Sequence, residues 1–93
     1  MIHPGGRAST DRLFAVADVQ PGERVLDIGC GVGTTAVRIA RETGAEVTAA
    51  DILELMLDRA RRTVASARAA VRVERADILT LPYPDASFDC VLA

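Results

Sequence analysis

The chain has 93 residues, 49% of them hydrophobic and 26% charged, with a net charge of −2 and a pI near 5.3. That length allows one domain at most. The composition excludes an intrinsically disordered chain and gives no electrostatic footing for nucleic acid or an anionic membrane, the eleven basic residues all being scattered arginines.

Residues 1–8 hold Pro4, Gly5 and Gly6 and read as a flexible lead, which leaves 9–93 as the folded part. Ser9 or Thr10 can cap a helix to about Asp18, with Leu13, Phe14, Val16 and Ala17 as its apolar positions. Pro21-Gly22 is a turn signal. Residues 24–28 are a short apolar run between that turn and a group of glycines, the pattern of a buried strand. A helix follows over 33–43, with Ala36, Val37, Ile39 and Ala40 on one face and Gly44 as its stop. A second strand covers 46–50 and ends at Asp51. The next helix runs over 53–69, its stripe being Leu53, Met56, Leu57, Ala60, Val64 and Ala67, with Asp58 placed to pair with Arg62. A third strand spans 71–75, a loop with Pro82 and Pro84 spans 77–87, and a fourth strand spans 88–93.

Strands alternating with helices imply right-handed crossovers and a parallel sheet. Residues 1–7 lack the apolar core of a secretory signal, and no run approaches the length of a membrane span. A cytoplasmic, reduced protein is expected. Cys30 and Cys90 stand far apart, with no C-x-x-C and a single histidine, His3, so no zinc spacing is present.

The segment V-L-D-I-G-C-G-V-G-T, residues 25–34, carries the chemistry. Gly29, Gly31 and Gly33 alternate where a buried strand gives way to a helix. Open α/β folds bind ligands at such turns, because glycine lets the backbone approach the ligand and the helix amides attract negative charge. A tight turn without a ligand would need one glycine, not three. The dinucleotide fingerprint G-x-G-x-x-G would require glycine at position 34, which is Thr34. Asp27, two residues before the first glycine, would oppose a pyrophosphate and suits a ligand bearing an ammonium group.

Residues 25–34 resemble the first motif of the class I S-adenosylmethionine-dependent methyltransferases. V-T-A-A-D-I at 47–52 resembles the second strand with its terminal acid, and L-E-L-M-L-D-R-A-R at 53–61 resembles the segment after it. A-D-I-L-T-L-P-Y-P-D-A-S-F-D-C-V-L-A at 76–93 resembles the loop and fourth strand of the small-molecule, methyltransferase type 11-like branch. The resemblance covers nearly the whole chain from about Gln20. It implies a Rossmann-like α/β fold, a parallel sheet with flanking helices, of which this chain supplies the first four of seven strands in the order 3-2-1-4-5-7-6.

The resemblance also implies the site. Asp51, eighteen positions after Gly33, would accept both ribose hydroxyls of S-adenosylmethionine; the alternative is an aspartate that caps the following helix. Asp77 would accept from the adenine amino group and the Ile78 amide would donate to the ring; the alternative is a turn aspartate. Ile52 would pack on the adenine, with Met56 beside it or in the core. Asp27 would face the ammonium of the methionine part, Gly29 and Gly31 would admit the ligand, and Gly33 would serve helix-to-strand packing. Cys30 reads as a small loop residue near the ligand rather than a nucleophile. No catalytic base and no metal ligand is expected, since a base would come from later segments. The methyl acceptor would be a small molecule, with neither nucleic acid nor membrane as partner. Two other readings stand beside this one: a non-catalytic cofactor-binding or strand-pairing module, self-associating through a bare edge of strand four, and a nicotinamide-dinucleotide oxidoreductase fragment.

Overall fold

The computed structural model describes residues 18–84 and 86–93, together with the backbone of residues 5–9. Five strands form one parallel sheet: β1 (Gly5–Ser9), β2 (Arg24–Ile28), β3 (Glu46–Asp51), β4 (Val71–Arg75) and β5 (Phe88–Leu92), in the order β1-β5-β2-β3-β4. Two helices, α1 (Thr34–Thr43) and α2 (Glu54–Ala67), form the crossovers β2-α1-β3 and β3-α2-β4. The four strands and two helices that the sequence predicts from residue 24 onward are all present in chain order, and the sheet is parallel.

Strand alternation sends side chains to two separate cores. Val25, Val47, Ala49, Cys90 and Leu92 pack with Ala36 and Ile39 of α1 and Ala60 of α2. Leu26, Ile28, Ala50 and Val91 pack in a second cluster with Phe88 and Ala76, which Leu81 and Tyr83 cover from the β4–β5 loop. α2 stops before residue 69. Arg68 turns left-handed at φ 50° and its amide donates to the Ala65 carbonyl at 3.2 Å, which ends the helix although good helix formers continue. Asp58 pairs with Arg61 at 3.1 Å, one residue earlier than expected.

Two expectations are corrected at the N-terminal end. Gly5–Ser9 is a strand rather than part of a flexible lead, with Gly5 opposite Phe88, Arg7 opposite Cys90 and Ser9 opposite Leu92. The physical reason is β5 itself. An apolar strand with an open ladder of N–H and C=O groups is a template, and a segment without a strand pattern of its own can complete it. The same pairing removes the bare edge through which self-association was expected, since β1 occupies it. The helix expected over 9–18 lies outside the described residues apart from Ser9, its expected cap, which ends β1, and Asp18, which is helical.

Gly33 is the other correction. It caps α1 at φ 85°, and a Cβ built there would stand 3.1 Å from Ala60 Cβ and 3.2 Å from Ala60 Cα. Its smallness therefore serves the approach of α1 to α2, not helix-to-strand packing.

Candidate functional site

Parallel strands deliver their carboxyl ends to one side of the sheet, so the segments after β2, β3 and β4 are neighbours there. Hydrogen bonds join them. The Ala50 carbonyl, at the end of β3, accepts from the amides of Gly29 at 2.8 Å and Cys30 at 3.0 Å, and the Cys30 carbonyl accepts from Gly33 at 3.0 Å. The glycine loop is thereby anchored to the adjacent strand.

Asp51 is the hub. Its Oδ2 accepts from the Gly31 amide at 3.0 Å and its Oδ1 from the Leu53 amide at 3.0 Å, while its carbonyl accepts from Ala76 at 3.1 Å. The bond to Leu53 is a local turn contact two residues on, not the helix cap of the alternative: Leu53 is itself the N-cap of α2, and no side chain caps that helix. This bond does not exhaust the carboxylate, because each oxygen can accept more than one hydrogen bond. Asp51 is 8% exposed and its carboxylate is held by backbone amides.

The backbone at Gly31 has φ 56°, a conformation that disfavours side chains, and a Cβ there would meet no atom within 4 Å. The glycine loop thus combines a left-handed turn with open space beside the Asp51 carboxylate. Asp27 sits beneath the loop at 0% exposure, and Cys30 is buried with its Sγ 3.6 Å from the Gly31 carbonyl. Both cysteines are buried thiols.

Asp77 opens the segment after β4. Its Oδ1 accepts from the Leu79 amide at 2.9 Å and its carbonyl from Thr80 at 3.0 Å, so the turn role is present here too. Ile52 and Ile78 are both exposed at the same end of the sheet, and Met56 is half-buried.

Sequence reasoning missed how apolar this end is. Val32, Ile52, Leu53, Leu55, Ile78 and Leu79 are the exposed large hydrophobics among the described residues, and each follows β2, β3 or β4. Leu53 was expected on the buried stripe of the helix; it is 60% exposed, because α2 starts one residue later and Leu57 is the first residue of the helix to be fully buried. Leu79, 80% exposed, had no signal beyond its place in the turn after Asp77. A separate cavity of about 610 Å³ lies towards the amino ends of the strands, lined by Arg24, Glu46, Arg72, Glu74, Tyr83 and Phe88 among others, and includes none of the candidate residues.

A glycine loop, an acid closing the next strand and a second acid after the third are gathered at one end of a parallel sheet in a Rossmann-like α/β fold. Residues 25–93 match the family model described as a methyltransferase domain, and the chain belongs to that family. It is 45% identical over 86 residues to 27-O-demethylrifamycin SV methyltransferase of Amycolatopsis mediterranei, a match covering 90% of this chain and 32% of that protein. Among solved structures it is similar to an S-adenosylmethionine-dependent methyltransferase from Thiobacillus denitrificans in complex with S-adenosyl-L-homocysteine, with TM-score 0.61, 31% identity and coverage of 70% of this chain and 27% of that one. It is also similar to the [4+2]-cyclase SpnF, with TM-score 0.77, 27% identity and coverage of 98% and 39%. The chain spans about a third of the length of the curated relatives it matches.

Proposed function

We propose that this chain is the S-adenosylmethionine-binding part of a methyltransferase that acts on a small-molecule acceptor. The observation that carries the reading is the Asp51 carboxylate, fixed by the Gly31 and Leu53 amides beside a left-handed glycine that opens onto unfilled space.

The residues present fit the group. Asp51 would hold the ribose hydroxyls through its remaining acceptor positions, and Asp77 would accept from the adenine amino group, with the Ile78 amide donating to the ring. Ile52 would cover an adenine face. Gly29 and Gly31 would let the methionine part lie against the backbone, with Cys30 beside it and Asp27 supplying negative charge for the ammonium. When bound, the cofactor supplies a sulfonium methyl that is already a strong electrophile. What these residues contribute is orientation: a fixed donor raises the effective concentration of a correctly aligned reaction.

A small-molecule acceptor is supported by the relative named for 27-O-demethylrifamycin SV and by the apolar rim around the site. No helix among the described residues is long and apolar enough to cross a membrane, and a cytoplasmic location is part of the same reading, in keeping with the two buried thiols. The likeness to the [4+2]-cyclase SpnF favours one second reading, in which this chain binds the cofactor as a non-catalytic module and the fold serves a reaction other than methyl transfer.

Calorimetric titration with S-adenosylhomocysteine and, separately, NADH tests the proposal. S-adenosylhomocysteine alone is expected to bind, and Asp51→Ala is expected to remove that binding. Binding of NADH in its place would move the chain to the oxidoreductases.

A further inference from the structure

The segment from Arg75 to Tyr83 leaves the sheet and returns to it. Ala76 is tied to the Asp51 carbonyl at 3.1 Å and the Arg75 Nε donates to the Ile52 carbonyl at 3.3 Å. The far end is the Asp77–Thr80 turn. The return is made by Leu81, packed on the second core, and by Tyr83, which stands between Pro82 and Pro84. The Tyr83 hydroxyl donates to Glu74 Oε2 at 2.5 Å, and its ring meets Phe88 edge to face with centroids 5.0 Å apart. Glu74 is on β4, three residues before Asp77, so this one bond joins the two ends of the excursion that carries Asp77 and Ile78.

We propose that Tyr83 is a positioning residue for adenine recognition: its hydroxyl, clasped by Glu74, closes the excursion and fixes the Asp77–Thr80 turn at the sheet's end. The inference rests on the adenine role of Asp77 given above. Fixing a short loop at both ends removes conformations that its tip would otherwise sample, and a hydrogen bond to a carboxylate is among the stronger clasps. Phe88 and the second core hold the ring, so the hydroxyl is the part whose loss loosens the turn without emptying the core. Burial first, then the bond to Glu74 and its charge, push the Tyr83 phenol well above its ordinary range, so the hydroxyl stays protonated and donating beyond neutral pH into the alkaline range.

The test is calorimetric titration of the chain with S-adenosylhomocysteine and with its inosyl analogue, which carries a carbonyl in place of the adenine amino group, alongside thermal melts. Tyr83→Phe and Glu74→Leu are each expected to reduce the preference for the adenosyl ligand by at least about fivefold, and Glu74→Gln, which keeps an acceptor oxygen, to hold it within about twofold. If either clasp variant fails to fold, the other decides. A merely structural clasp would lower the melting temperature and leave the preference intact; that outcome, with Asp77→Ala abolishing the preference, overturns the positioning role alone. If Asp77→Ala leaves the preference unchanged, or the unmodified chain shows none, the adenine reading itself falls and this inference with it.

Discussion

The Gly31 amide donates to Asp51 Oδ2 across 3.0 Å, so the glycine loop after β2 and the acid that ends β3 are one mechanical unit. Asp51→Ala breaks this bond and the one to Leu53. Each hydrogen bond to a charged group contributes about 1.5–3 kcal/mol, so denaturant unfolding should show a loss of roughly that size or more. Asp51→Asn keeps one acceptor oxygen and should lose about half as much.

Gly33→Ala is expected to destabilise the fold by about 1–3 kcal/mol, through the left-handed backbone and the contact with Ala60. Adding Ala60→Gly removes the contact with the Ala60 Cβ but neither that with its Cα nor the backbone conformation, so the double variant should recover only part of the loss. A double-mutant cycle by thermal melting separates the two.

Gly31→Ala behaves differently. Its φ of 56° disfavours alanine by about 1–2 kcal/mol, but the new methyl meets nothing in the protein. The chain should fold with a modest loss of stability, while titration with S-adenosylhomocysteine should show a disproportionate loss of affinity, because the methyl enters the space proposed for the ligand.

Arg68→Gly should stabilise the chain by about 1 kcal/mol in urea unfolding, since Arg68 holds a left-handed C-cap that glycine adopts without penalty.

Alkaline pH should weaken the fold through Tyr83. Its folded-state pKa is raised, so the stabilisation is complete below the ordinary tyrosine value near 10.0 and is lost progressively as pH rises towards the folded value. Melting temperatures of the unmodified chain and Tyr83→Phe, compared between pH 9 and about 11, should converge as pH rises.

The elements legible in the sequence are those with a pattern of their own. The run R-V-L-D-I has the bounds of β2, and Gly44 ends α1 as expected. The segment G-G-R-A-S carries no period-two signal, and β5 alone makes it a strand. At the site, the glycine loop is legible from its own pattern and Asp51 and Asp77 are pointed to by the family resemblance, but the partners that hold them are not legible. Asp51 reaches back twenty residues to Gly31, and Gly33 is small on account of Ala60 in another helix. The exposure of Leu53 depends on where α2 starts, which propensity leaves open by a residue or two. The clasp of Tyr83 on Glu74 depends on the path of an irregular loop, which no periodicity encodes.

Ser9 stands opposite Leu92 in the sheet. β1 therefore pairs only after β5 has been made, whereas β2, β3 and β4 can assemble from contacts closer in sequence before it finds its place. Pairing across nearly the full chain is slow to form. During synthesis β1 remains available to chaperones and proteases longer than β2, β3 or β4, so turnover of the nascent chain should depend on residues 5–9 more than the stability of the folded sheet does.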